Sequence, residues 1–103
     1  MPELKQLRVL QAVAEAGSFS AAAARLNYTQ PAVSRIVAAL ERELGAVLVE
    51  RQSRPVRLTD AGAALLRHAD DVFARLSSAR SEIEAITQAK VRRRSSRPPA
   101  GCS

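Results

Sequence analysis

Apolar residues recur every three or four positions along most of the chain, which is the period of an amphipathic α-helix. The first such stretch runs from Glu3 to Ala16. Its apolar positions are Leu4, Leu7, Leu10 and Val13. Gly17 follows, and glycine accepts the left-handed conformation that often ends a helix. The pattern therefore predicts a first helix over residues 3–16.

Two further helices are predicted next, joined by a turn of about three residues. Either Ser18 or Ser20 can cap the second helix, which runs to about Leu26. Thr29 offers a hydroxyl to cap the third helix, and Pro31 suits its first turn, where a missing N–H costs nothing. The apolar positions on one side of the third helix are Val33, Ile36, Val37, Leu40 and Leu44. Two helices linked in this way are typical of a helix-turn-helix.

A hairpin is predicted after the third helix, which ends at Gly45. Segments 47–49 and 56–58 are β-prone, and the polar segment 51–55 between them contains a proline and favours a turn. Such a two-stranded hairpin forms a wing. Its basic residues are Arg51, Arg54 and Arg57.

A long helix follows the wing, because an apolar a/d pattern continues without a break for about three heptads. Its positions are Leu65, Ala69, Val72, Leu76, Ala79, Ile83 and Ile86. Thr59 and Asp60 suit its N-terminus, and Gly62 is expected to mark a close approach of two backbones. Residues 60–90 as one helix would extend about 45 Å, too far to pack wholly on the preceding domain. The a/d face is therefore expected to form a homodimer, with packing inside the chain as the alternative.

Charge and composition change this picture little. The formal net charge is +6, and much of the excess lies after residue 90, in arginines without a neighbouring acid. Those arginines are Arg92, Arg93, Arg94 and Arg97. Pro98 and Pro99 exclude helix, so residues 91–103 are predicted to be a disordered basic tail that either binds phosphates nonspecifically or has no function.

Several functional classes find no support in the residues. Cys102 is the only cysteine, so no intrachain disulfide forms. The chain lacks an apolar run of transmembrane length and a secretory leader, which indicates a cytoplasmic protein without membrane contact. The only histidine, His68, lies on the long helix beside Asp70 and Asp71, where a solvated face is the plainer interpretation. No residues suggest an enzyme, a metal site or a cofactor.

The order and spacing of several short segments carry a family resemblance. The segments are Gly17–Ser20, Ala22–Ala23, Leu26, Thr29–Ser34, Leu40–Glu41, Leu44–Gly45, Arg51, Leu58–Thr59 and Ala61–Gly62. Over about residues 3–88 the chain resembles the DNA-binding domain of LysR-type transcriptional regulators. The resemblance implies a mainly α winged helix-turn-helix, with a three-helix core and a two-stranded wing, followed by a linker helix. The domains expected are a DNA-binding domain (1–60), a dimerisation helix (61–90) and the tail (91–103).

The predicted function is sequence-specific binding of double-stranded DNA by residues at the start of the third helix and in the wing. Thr29 to Arg35 place small polar side chains and an arginine where a helix enters the major groove. The resemblance implies that Arg54 enters the minor groove and that Ser18 and Ser20 meet phosphates. The expected DNA-binding residues are Ser18, Ser20, Thr29, Gln30, Pro31, Ser34, Arg35, Arg51 and Arg54.

Plainer interpretations exist for single residues. Each of these polar side chains, taken alone, is an ordinary solvated surface residue. Arg51 has a second role open to it, since a salt bridge from this arginine would support the hairpin. Glu50 and Asp60 are acidic residues that can neutralise some of the wing arginines.

The chain departs from the family pattern at three points. Val49 replaces the usual aromatic residue, so the core under the wing is expected to be either repacked or looser. Ile36 replaces a common glutamine, so one polar contact is expected to be lost. Family members carry a large effector-binding domain after the linker helix, whereas this chain ends soon after it. An expressed fragment, a natural truncation or the out-of-frame end of a disrupted gene would each explain this, and no small-molecule effector site is expected. The alternative functions are heterodimerisation with a full-length regulator through the linker helix, or a non-functional remnant.

Overall fold

The computed structural model describes the backbone of residues 1–96 and the side chains up to Arg92. Its elements in chain order are α1 (Leu4–Ala16), α2 (Phe19–Leu26), α3 (Gln30–Leu44), β1 (Val49–Glu50), β2 (Arg57–Leu58) and α4 (Asp60–Ser96). The two strands pair antiparallel, with Val49 opposite Leu58. The predicted mainly α winged helix-turn-helix is confirmed.

Helix boundaries lie where the capping residues predict them. The Ser18 hydroxyl oxygen accepts a hydrogen bond from the Ala21 N–H at 2.9 Å, so Ser18 rather than Ser20 caps α2. The Thr29 hydroxyl oxygen accepts from the Ala32 N–H at 3.2 Å and caps α3 in the same way. Each bond satisfies one of the amide groups that the first turn of a helix leaves without a partner.

The wing strands are shorter than predicted, because neighbouring backbone groups bond elsewhere. The Leu48 N–H donates to the Glu41 carboxylate at 2.8 Å rather than to a facing strand. The Val56 N–H donates to the carbonyl of Gly17 at 2.8 Å, in the turn between α1 and α2. These bonds leave two residues in each strand and fasten the base of the hairpin to the helices.

One apolar core lies between the three helices and the base of the wing. Its buried members are Val9, Leu10, Ala12, Val13, Ala22, Ala23, Val33, Val37, Leu40, Leu48, Val49 and Val56. Val49, where the family pattern usually has an aromatic residue, is only 1% exposed. The smaller side chain is therefore fully covered by its neighbours.

Gly62 marks a close backbone contact, as its position near the start of α4 predicts. A Cβ at this residue would lie 2.0 Å from the carbonyl oxygen of Leu48, well inside van der Waals contact. The Thr59 N–H donates to that same carbonyl at 2.9 Å, and the Thr59 hydroxyl accepts from the Gly62 N–H at 3.0 Å. The α4 N-terminus is thereby joined to the chain that enters β1.

The first of two compact units, Met1–Asp70, includes the first turns of α4. Within it Ala69 is 1% exposed, and Leu65 packs against the core. The prediction that Ala69 belongs to an intermolecular seam is therefore wrong, since its own chain already covers it. The assignment of Leu65 to the seam is corrected in part, because its side chain also packs against the core of its own chain.

The second compact unit begins at Asp71 and is helical to Ser96. Its apolar a/d residues are exposed, at 39% for Val72, 48% for Leu76, 60% for Ile83 and 51% for Ile86. None of these four side chains is covered in the single chain. Ala79 is exposed as well.

Helix α4 continues past its predicted end at residue 90. Arginine is a good helix former, and the helix-breaking Pro98 comes only after Arg97, so residues 91–96 have no reason to leave the helix. The rest of the predicted tail, residues 97–103, lies outside the described residues. Within residues 1–96, no helix combines the length and apolar character needed to cross a membrane.

Candidate nucleic-acid interface

A concave groove gathers six of the nine residues predicted to bind DNA. It is bounded by the N-terminal turns of α2 and α3 and by the wing. The residues that line it are Ser18, Phe19, Ser20, Gln30, Ser34, Arg51, Arg54 and Val56. Hydrogen-bonding groups and two guanidinium groups thus share one surface, as recognition of a polyanion requires.

A hydrogen bond between α2 and α3 orients the amide of Gln30. The Ser20 hydroxyl donates to Gln30 Oε1 at 3.1 Å, which points the carbonyl oxygen toward α2. The amide nitrogen of Gln30 keeps both of its protons for an outside acceptor. Ser20 therefore has a role that its sequence position alone does not reveal, as the residue that fixes the Gln30 side chain.

Arg51 is held by a carboxylate from α3. Its two terminal nitrogens form a fork with Glu41, at 3.2 Å from Nη1 to Oε2 and 3.0 Å from Nη2 to Oε1. The guanidinium also lies over the Phe19 ring, 5.5 Å from its centroid. The open possibility of a salt bridge at Arg51 is thus realised with Glu41 as the partner, rather than with the acidic residues flanking the wing.

Glu41 is the functional residue that sequence reasoning missed. Its carboxylate also accepts from the N–H groups of Leu48 and Val49, at 2.8 and 3.4 Å. Burial by itself raises the pKa of this carboxyl, but the hydrogen bond and positive charge of Arg51 and the two backbone N–H groups outweigh burial and bring the pKa below its usual value. The one signal in the sequence for this role of Glu41 was its position directly after the buried Leu40, at the edge of the core.

Arg54 is bonded differently from Arg51. Its guanidinium Nη1 donates to the backbone carbonyls of Arg51 and Ser53, the latter at 2.8 Å. Within the part of the chain that the structure describes, no carboxylate pairs with Arg54. Its charge is uncompensated locally, whereas that of Arg51 is balanced by Glu41.

Three predicted DNA-binding residues lie outside the groove. Thr29 and Pro31 are exposed at the start of α3, and the Thr29 hydroxyl serves as the helix cap. Arg35 is exposed and lines a second depression. That depression is formed by Glu3, Lys5, Gln6, Ala32, Arg35, Ile36 and Ala39. The predicted residues at the start of α3 thus line two different depressions, whereas the family resemblance groups them as one DNA-binding surface.

Comparison with known proteins identifies the family. Residues 4–63 match the model of bacterial regulatory helix-turn-helix proteins of the lysR family. The chain belongs to the lysR family. An uncharacterized HTH-type transcriptional regulator from Azotobacter vinelandii is 50% identical over 78 residues, which cover 76% of this chain and 54% of that protein. The HTH-type transcriptional regulator TfdT of Cupriavidus pinatubonensis is 46% identical, over 81% of this chain and 37% of the relative.

Solved structures of lysR-type domains share the fold. The BenM_DBD/catB site 1 DNA complex matches with a TM-score of 0.81 and 38% identity, over 85% of this chain and 95% of that one. The CbnR_DBD–DNA complex matches with a TM-score of 0.69 and 46% identity, over 81% and 98%. The lysR family consists of transcription regulators rather than enzymes. The present chain spans about half the length of the Azotobacter relative.

Proposed function

We propose that the chain binds double-stranded DNA in a sequence-specific manner as a homodimer and thereby regulates transcription. The observation that carries the proposal is the groove, which assembles Ser18, Ser20, Gln30, Ser34 and Arg54 beside the exposed start of α3. Membership of a regulatory family and the likeness to DNA-bound domains support it. The activity is binding without catalysis, and its location is the cytoplasm, where a bacterial regulator meets DNA.

In this proposal the start of α3 enters the major groove. The amide protons of Gln30 suit the acceptor atoms on a base edge, and the Arg35 guanidinium suits guanine or a pair of phosphates. The α2 N-terminus, capped by Ser18, lies beside them and favours a phosphate through its oriented amide groups. Arg54, which pairs with no carboxylate among residues 1–92, is assigned to the adjacent minor groove.

The exposed face of α4 supports pairing with a second copy. Val72, Leu76, Ala79 and Ile83 occupy successive a and d positions in a segment that its own chain leaves uncovered. A symmetric dimer of this kind would set two recognition helices into successive major grooves of a partly palindromic site.

The charges beside this face favour an antiparallel arrangement of the two helices. Antiparallel pairing of Leu76 with Ala79 of a second copy also matches Val72 with Ile83. It brings Arg75 of each copy opposite Glu82 of the other, whereas parallel pairing would bring Arg75 close to Arg80. Opposite charges attract and like charges repel across such a seam, so the antiparallel form is the more stable of the two.

Selection of bound duplexes from a random DNA pool tests the proposal, at about 0.15 M salt. Enrichment of a partly palindromic motif is the expected result and would also supply the operator. Binding without any enriched motif, falling steadily as salt rises, would reject sequence-specific recognition by this chain.

A further inference from the structure

We propose that Glu41 limits the sequence-independent affinity of the groove for DNA, because it holds the guanidinium of Arg51 on the protein and withholds that charge from DNA phosphates. The inference rests on the proposed function and deepens it. Arg51 lines the groove, so its charge would otherwise attract any duplex regardless of sequence. Because Glu41 holds it, the Arg51 guanidinium instead forms part of the wall of the groove.

The geometry around Glu41 leaves Arg51 little freedom. An N–H···O bond of 3.2 Å and a second ion-pair contact of 3.0 Å join the two side chains, and this two-point contact restricts both their distance and their orientation. The carboxylate is itself fixed by the backbone N–H groups of Leu48 and Val49 and is only 15% exposed. The Phe19 ring supports the other side of the guanidinium at 5.5 Å. Moving Arg51 toward a phosphate would break both of its contacts to Glu41 and its contact with the Phe19 ring.

Arg54, three residues along the wing, shows the opposite arrangement. It donates to backbone carbonyls and has no acidic partner among residues 1–92. Two arginines on one groove therefore have separate roles: Arg54 offers a positive charge to DNA, and Arg51 supports the wall. Both arginine side chains therefore shape the groove, but only the charge of Arg54 is left without a carboxylate partner among residues 1–92.

This division of roles affects the affinity for DNA of any sequence, because contacts to phosphates depend on charge. Each phosphate neutralised by a cation adds about 0.9 to the salt slope of binding and strengthens binding to every sequence alike. A cation held by a carboxylate adds little to this term. Restraining Arg51 therefore lowers affinity for all DNA and leaves base contacts to supply a larger share of the free energy of specific binding.

The decisive variant is Glu41→Gln, since glutamine has the same shape and can still accept from the Leu48 N–H but carries no charge. Released from its partner, Arg51 becomes available to phosphates. We expect affinity for a random-sequence duplex to rise about five-fold at 0.15 M salt, with a salt slope steeper by about 0.9 per subunit. Affinity for the selected duplex should rise by a similar factor, so that the preference for the motif over random duplex stays about the same.

Glu50→Gln is the matched control. Glu50 is an exposed residue of the wing whose carboxylate accepts from the Ser53 hydroxyl at 3.3 Å, so the variant makes the same change in net charge without releasing Arg51. Its salt slope should equal that of the wild type. The double variant Glu41→Gln/Arg51→Met should lose the extra nonspecific affinity of Glu41→Gln, because the released charge is gone.

The results separate the two proposals. A wild-type protein that enriches a motif, together with a Glu41→Gln variant whose salt slope is unchanged, would overturn the role of Glu41 alone. A wild-type protein that binds no duplex would overturn both. Lower affinity of Glu41→Gln for selected and random DNA alike, with an unchanged slope, would mean that Glu41 serves only the fold.

A measurement on the wild type covers the case in which Glu41→Gln does not fold. Side-chain NMR of the arginine Nε–H groups during titration with random-sequence duplex should shift the Arg54 signal and leave the Arg51 signal in place. A shift at Arg51 as large as that at Arg54 would show that its charge reaches DNA, and would overturn the inference.

Discussion

Residues 1–70 and the helical segment from Asp71 onward differ in how far their regularly spaced apolar side chains are buried. In the first unit Leu10, Val33 and Leu40 are completely buried. In the second, Leu76 and Ile83 occur at equally regular spacing and are about half exposed. The same periodic pattern thus produces a buried core in one region and an exposed apolar face in the other. In the proposed homodimer, a second copy would cover that exposed face.

The largest expected effect concerns the close packing of residues 1–70. Gly62→Ala should destabilise it by about 3 kcal/mol or more, because the new Cβ would meet the Leu48 carbonyl at 2.0 Å. Helix propensity alone predicts the opposite sign, a gain of about 1 kcal/mol. Thermal unfolding should show the loss as a large drop in Tm.

Gly45→Ala is the control for Gly62→Ala. Nothing lies within 4 Å of a Cβ at Gly45, so its cost comes only from the left-handed backbone at φ 65°, about 1–2 kcal/mol. Equal melting temperatures for the two variants would contradict the close contact at Gly62.

The next effect tests whether the exposed apolar face of α4 forms the proposed dimer. Leu76→Glu should raise the dimer dissociation constant about 100-fold, the equivalent of about 3 kcal/mol, because it places two carboxylates in an apolar seam. Sedimentation equilibrium measures the change, and binding to a palindromic duplex should weaken with it. Ser81→Glu is the control, since this exposed serine lies two positions from both Ala79 and Ile83 and is therefore on the opposite side of the helix from the seam. A Leu76→Glu protein that stays dimeric would show that the exposed face is not the interface.

A smaller effect tests whether the first region carries the contacts to DNA. Arg35→Ala should cost about 1–3 kcal/mol of specific binding, because the exposed guanidinium is assigned to bases or phosphates. Arg42→Ala removes the same charge from the last turn of α3 and should have less effect. Equal affinities of the two variants for the selected duplex, at one fixed salt concentration, would remove Arg35 from the contact set.

The smallest effect concerns acid. A carboxyl with a lowered pKa stabilises the fold above its ordinary value of 4.5, and that contribution is lost as pH falls through the lower folded value. Glu41→Gln should therefore be less stable than the wild type at pH 7, by about 1 kcal/mol, and the difference should shrink below pH 4.5. Unfolding curves of both proteins from pH 3 to 7 measure it. A difference independent of pH would exclude the charge of Glu41 as its source.

Local signals in the sequence predict the first region well. Serine and threonine caps, proline in a first turn and glycine after a last turn act within a few residues, so Ser18, Thr29 and Gly45 place helix ends without knowledge of the fold. Gly62 was also interpretable, since a glycine near a helix start needs a steric reason.

The failures arise where distant residues decide the outcome. An a/d pattern tells which residues share a face but not what covers that face, so Ala69 was assigned to the seam although its own chain buries it. Glu41 and Arg51 lie ten positions apart, and only the fold shows that they meet. The strand ends likewise depend on Glu41 and Gly17, which lie outside the hairpin.

The bond from Ser20 to Gln30 has a consequence for how such a protein could change over evolutionary time. If Gln30 faces base edges as proposed, the direction of its amide is set from a neighbouring helix. Replacing Ser20 by alanine would let the amide turn and offer its oxygen where it now offers protons. A lineage could in this way acquire a new operator preference while every residue of its recognition helix stayed the same.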